Sequence, residues 1–217
     1  REGRMIRASS PIDIEGIYRD FIDLKQEENT KERYEGNEHW YHASGAGSCS
    51  RKLYFQSVEN VEPTNPIDSR TKRLLRLGNV VHEDIQDSLM RVHARTVKSL
   101  IKEKENKNKA KEIEFHVEGE ITIDELNVRG FYDVVAKDNT SPEQPVYLYD
   151  IKTCGGWSWK MKFGRKKQLN PSIQYELQLG TYGYAIKQLF GRLDGMFLYY
   201  YNKDTSDMRV VEVPLTY

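Results

Sequence analysis

Near residue 112 the apolar pattern of this chain changes period, and that change restricts its architecture more than any other feature. Upstream, "SRTKRLLRLGNVVHEDIQDSLMRVHARTVKSLIKEK" sets Leu74, Leu77, Val81, Ile85 and Leu89 on one stripe at helical spacing. Downstream, "EIEFHVEGEITI", "VRGFYDVVAKD" and "PVYLYDIKTC" alternate with period two, as strands do. Helix returns in "NPSIQYELQLGTYGYAIKQLF", with Ile173, Leu177 and Tyr184 on its apolar stripe, and "RLDGMFLYYYN" and "MRVVEVPLT" read as two more strands. Helix, three strands, helix and two strands predict an α/β fold in which a central mixed sheet is flanked by helices.

The N-terminal third reads as a helical extension. "SPIDIEGIYRDFIDLKQEE" predicts a helix capped at Ser10 and Pro11, with Ile14, Ile17, Phe21 and Leu24 as a packing face. "HASGAGSCSRKLYFQ" predicts a small-residue turn and a short helix, and "KEKENKNKAKE" a solvated helix end and linker. At 217 residues the expectation is one domain, 1–217, with a helical N-terminal segment over 1–110 and an α/β core over 111–217.

Thirty-three basic and thirty-three acidic residues cancel, so any attraction to a charged partner must be local. Two cysteines, Cys49 and Cys154, are too few for a disulfide framework and suggest a reducing, cytoplasmic compartment; Cys49 is expected to be a buried thiol. The sequence contains no apolar run long enough for a transmembrane helix, so no membrane partner is expected.

The strand "VYLYDIKTCGG" carries two charges on one face. Val146, Leu148, Asp150 and Lys152 point one way and Tyr147, Tyr149, Ile151 and Thr153 the other. A buried acid and lysine are costly unless paired or placed for use. Asp133, in the preceding strand, shares a face with Phe131 and Val135, so adjacency of the two strands would let Asp133 and Asp150 converge. Paired carboxylates suit a hard divalent cation, Mg2+ or Mn2+, and Lys152 would add a point charge to orient water or stabilise a phosphoryl group. His82 lies four residues after Gly78 on one helical face; an imidazole beside carboxylates favours Mn2+ as a working ion. Gln174, Gln178 and Tyr182 form a polar stripe on the later helix, suited to holding a phosphate or positioning the lysine. Glu118 and Glu120 read as structural.

Together these residues resemble the PD-(D/E)XK nuclease superfamily, in its RecB-like exonuclease branch, to which CRISPR-adaptation and phage recombination exonucleases belong. The matching elements are Gly78 to His82 for the helix histidine, "GFYD" from Gly130 to Asp133, "DIKT" with Asp150 and Lys152, and "QLGTY" from Gln178 to Tyr182 for the Gln-x-x-x-Tyr motif. The resemblance implies a restriction-endonuclease-like core in α-β-β-β-α-β order. It implies metal ligation by His82, Asp133, Asp150 and the main-chain carbonyl of Ile151, and catalytic roles for Asp133, Asp150, Lys152, Gln178 and Tyr182. The implied activity is metal-dependent DNA exonucleolysis in recombination, repair or CRISPR adaptation. A DNA-binding subunit of a larger recombination complex and a superfamily endonuclease stay open as alternatives, as does a homo-oligomer. "SGAGSCSRKLYF" is similar to the segment around the first cysteine of iron-sulfur members, which need three further cysteines near the C-terminus; with none after Cys154, no cluster is expected.

DNA contacts are expected on "GGWSWKMKFGRKKQ", where Lys160, Lys162, Arg165, Lys166 and Lys167 interleave with Trp157 and Trp159. Gln174, Arg51, and the cluster Arg70, Lys72, Arg73 and Arg76 are the further candidates.

Overall fold

The five period-two segments join a short two-residue strand, Tyr41–His42, in one six-stranded mixed sheet. The computed structural model describes residues 12–34, 40–59, 61, 64–65, 67–102, 113–165 and 173–215, without the side chains of 30–34 and 92–102. Its elements are α1 (Ile14–Tyr34), β1 (Tyr41–His42), a 3-10 turn (Ala43–Gly45), α2 (Ser50–Ser57) and α3 (Ser69–Lys102). Then follow β2 (Ile113–Ile123), β3 (Val128–Asp138), β4 (Val146–Cys154), α4 (Gly156–Phe163), α5 (Ile173–Phe190), β5 (Gly195–Asn202) and β6 (Met208–Val213). The sheet order is β1-β3-β4-β5-β6, with β2 paired to β3. The β1–β3 and β4–β5 pairs are parallel and the others antiparallel. Helices flank this sheet, as expected from the sequence.

The chain divides into two compact units, one of Arg1–Glu38 with Pro63–Leu77 and one of His39–Glu62 with Gly78–Tyr217. Most of α3 and the α2 segment group with the sheet.

In the smaller unit, Asp13 caps α1: its Oδ1 accepts the Gly16 amide at 2.8 Å. Lys72 of α3 pairs with Asp23 of α1 at 2.7 Å. The expected packing stripe is corrected here. Ile14, Ile17, Phe21 and Leu24 are all exposed, and among the side chains described in α1 the buried positions are Gly16 and Ile22. The expected cap residues Ser10 and Pro11, and the linker from 103 onward, lie outside the described residues.

In the larger unit the core gathers Val135, Val146, Leu148, Met196, Leu198 and Tyr200 from the sheet with Leu179, Tyr182, Ala185 and Ile186 from α5. Burying such side chains contributes about 1.5–3 kcal/mol each. β4, between β3 and β5, buries Val146, Leu148 and Asp150 on one face, while on the other Ile151 is buried and Tyr147, Tyr149 and Thr153 are half-buried. Gly130 lets layers meet: a Cβ there would stand 2.7 Å from the Ala43 Cβ and 2.9 Å from the Tyr182 ring.

Candidate active site

The site forms where two ladders open on β3. β2 pairs along one edge of β3 from Val128 to Asp138 with a single step skipped, so β1, at Val128 and Arg129, and β4, at Val134 to Lys137, share the other edge. The last β3–β4 pair is Val134 with Tyr149. One step beyond, where Asp133 would face Asp150, the Asp133 carboxylate replaces the backbone as acceptor: its Oδ2 takes the Ile151 amide at 2.6 Å. Because N–H and C=O of one strand residue share an edge, the Ile151 carbonyl faces the same opening. The β2–β3 ladder skips the same step, since Val117 pairs with Val134 and Gly119 with Tyr132 while Glu118 and Asp133 do not pair. Glu118, Asp133 and Asp150 thus occupy one row across three neighbouring strands.

Asp150 is 2 % exposed. Burial pushes its carboxyl up to about 6, an effect that Lys152 partly offsets and the Asp133 charge reinforces. The Lys152 Nζ lies 2.7 Å from Asp150 Oδ2, yet off the direction of a hydrogen bond, so that buried oxygen accepts none. Lys152 is steered from the other side. It donates to Gln178 Oε1 at 3.1 Å, and Gln178 Nε2 reaches the Tyr182 hydroxyl at 3.5 Å. The Tyr175 ring lies beneath it, with Nζ 4.9 Å from the centroid. The stripe on α5 therefore positions the lysine through Gln178 and Tyr182, whereas Gln174 is exposed at the start of the helix.

Helix α3 brings the imidazole. Gly78 is buried, and a Cβ on it would stand 3.1 Å from Thr153 Oγ1, so the glycine permits the close approach to β4. One turn later His82 Nδ1 lies 3.6 Å from Asp133 Oδ1. One turn further, the buried amide of Gln86 donates to Glu118 Oε1 at 2.6 Å and to the Asp133 main-chain oxygen at 3.2 Å. Partial desolvation raises the Glu118 carboxyl, Gln86 lowers it, and the Asp133 charge raises it again. Sequence reasoning did not single out Gln86; the available signal was its i, i+4 spacing from His82. Glu120 pairs with Arg129.

Two carboxylates, an imidazole and a main-chain carbonyl have the donor chemistry for Mg2+ or Mn2+. The buried, unbonded Asp150 Oδ2 fits such a role, because a cation would compensate it. As they stand, no three His, Cys, Asp or Glu side chains among the described residues close on one point. Asp133 is engaged by the Ile151 amide, a donor that an ion would replace, whereas Asp150 is paired with Lys152 by charge without a hydrogen bond to its Oδ2.

The DNA-contact candidates separate by environment. The segment after β4 is a helix, α4, whose Trp157 is 76 % exposed and whose Lys160 is exposed; Arg165 just beyond is exposed as well. Trp159 instead packs on Phe163, ring centroids 4.7 Å apart, against the core. Lys162 is half-buried, 5.4 Å from the Tyr175 centroid and 5.1 Å from that of Tyr200. Lys166 and Lys167 lie outside the described residues. Arg51, on α2, sits 5.7 Å from the Phe55 ring. Arg70, Lys72, Arg73 and Arg76 belong to the other compact unit, where Lys72 is engaged by Asp23. Cys49 is exposed, which corrects the expected buried thiol, and the amides of Lys52 and Arg51 hold it below its ordinary value. Both thiols are free. No described helix is long and apolar enough to cross a membrane.

No family model matches the chain, and no curated protein matches it. Among solved structures it is similar to one described as the crystal structure of SSO0001, with 17 % identity and a TM-score of 0.47, over 92 % of this chain and 79 % of that one.

Proposed function

We propose that this chain is a divalent-metal-dependent deoxyribonuclease of the PD-(D/E)XK type, in the RecB-like exonuclease branch. The observation that carries the reading is the opened β3–β4 ladder, in which Asp133 and Asp150 stand at adjacent positions and Lys152 is held beside them by Gln178. A structural ion pair alone needs neither the second acid nor the imidazole of His82 at 3.6 Å from it.

His82, Asp133, Asp150 and the Ile151 carbonyl would hold the ion. When bound, it supplies Lewis acidity toward a phosphoryl oxygen and lowers the pKa of water. The chain's own residues do the rest. Asp133 and Asp150 concentrate negative charge where a cation is needed. Lys152, oriented by Gln178 and Tyr182, presents a preorganised ammonium toward charge developing on the scissile phosphate. Tyr175 shields that ammonium from water and keeps it on one side of the site. The exposed Trp157 offers a stacking face for an unpaired base, and Lys160 a phosphate contact, which suits DNA ends.

A second reading is a DNA-binding module without cleavage, favoured by the lack of three closed ligands among the described residues. Titration of Mg2+ and Mn2+ against end-labelled linear DNA, with a closed circle as control, tests both. Metal-dependent loss of linear DNA with the circle spared supports the exonuclease. Nicking of the circle moves the reading to an endonuclease, and binding without cleavage in either metal to the module.

A further inference from the structure

We propose that Gln86 and Glu118 are a positioning pair that sets where Asp133 and His82 stand. This rests on the metal-site reading above. Gln86 is 5 % exposed, and its two amide protons go to two different strands: one to Glu118 Oε1 on β2, one to the Asp133 carbonyl on β3. Those two residues are the unpaired step of the β2–β3 ladder. The side-chain amide therefore takes up an acceptor that strand pairing would otherwise satisfy, and it bridges the gap between β2 and β3.

The gap has a local cause. Glu118 adopts φ +50°, a left-handed conformation unusual for a non-glycine residue within a strand. Such a conformation costs on the order of 1–3 kcal/mol and persists only where its surroundings hold it. Gln86 supplies a charge-assisted hydrogen bond to that very side chain. Gln86 also lies one turn after His82 on the same face of α3, so the strut that fixes the Asp133 backbone fixes the height of the imidazole against it. The Asp133 carboxylate in turn holds the Ile151 amide, so a shift of Asp133 is felt on β4.

The test uses the full chain with Gln86→Leu, Glu118→Gln and Glu118→Ala, beside His82→Ala and Asp133→Asn. Two quantities are read: Mn2+ affinity by calorimetry, and hydrogen exchange of the Ile151 amide without metal, with the Leu198 amide as control. Gln86→Leu is expected to weaken Mn2+ by about 10- to 100-fold, the range for outer-shell partners, and to speed Ile151 exchange by about tenfold with Leu198 unchanged. Glu118→Gln keeps an acceptor for Gln86 and should stay within about threefold of the parent in both, while Glu118→Ala follows Gln86→Leu. Unchanged Ile151 exchange in a folded Gln86→Leu overturns the proposal. So does a Glu118→Gln variant as impaired in Mn2+ binding as Asp133→Asn, which would make Glu118 a ligand. If the parent binds no Mn2+, the metal reading fails, and the exchange data alone decide the pair.

Discussion

Asp133 and Asp150 stand opposite each other one step past the last β3–β4 pair, and the first uses its carboxylate to hold the amide of the residue after the second. The strands separate there because a side chain has replaced a main-chain acceptor. The separation is what leaves a carbonyl and two acids facing one opening.

Asp150→Asn should abolish cleavage and stabilise the metal-free protein. The folded carboxyl lies near 6, above its ordinary 3.8, because it is buried. A raised carboxyl costs nothing below the lower value and costs stability as the pH rises through the higher one. Denaturant melts without metal should show the variant more stable than the parent by about 1–3 kcal/mol at pH 7.5, and no more stable at pH 3.5. A parent equally stable relative to the variant at both pH values would contradict this.

Lys152→Ala should lower single-turnover cleavage at saturating metal by roughly 10²–10³, as for loss of a preorganised charge. Gln178→Ala removes only the partner at 3.1 Å and should cost about tenfold. Tyr182→Phe deletes a contact already 3.5 Å long and should cost least, about 1 kcal/mol or less. The reverse order would remove Lys152 from the chemistry.

His82→Ala should raise the metal concentration for half-maximal cleavage by about tenfold or more while leaving DNA affinity in Ca2+ within about twofold. An unchanged metal titration returns His82 to a packing role.

The two tryptophans of α4 should differ in effect. Trp157→Ala, at a 76 % exposed position, should weaken single-stranded DNA binding by about 1–3 kcal/mol with an unaltered melt. Trp159→Ala removes a ring packed on Phe163 and should lower stability by about 1–3 kcal/mol instead. Lys160→Ala should reduce the salt slope of binding by about one. Equal effects of the tryptophan variants on binding would place the DNA elsewhere.

Gly130→Val should destabilise by about 1–3 kcal/mol or more, since the new side chain meets Ala43 and the Tyr182 ring, both buried. A chemical melt reads it directly.

Alternation and helical spacing alone placed every long element of the described chain, because strands and helices of a buried α/β core carry their period in their apolar residues. They also put Asp133, Asp150 and Lys152 on strands and His82, Gln178 and Tyr182 on helices. Local pattern failed where burial is decided by neighbours. The stripe Ile14, Ile17, Phe21 and Leu24 has helical spacing yet is exposed, whereas Ile22 is buried. The eight-residue α4 was too short and too basic to announce itself, and Trp157 and Trp159 differ in exposure because Trp159 packs on Phe163, Arg209 and the core. Periodicity carries no information about which strands are adjacent, so the meeting of Asp133 with Ile151 was decided by the pairing and register of β3 with β4. The same holds for Glu118, whose left-handed backbone and link to Gln86 exist only once α3, β2 and β3 are packed together. What the sequence determined was the chemistry available on each element; long-range pairing decided which of those groups share one site.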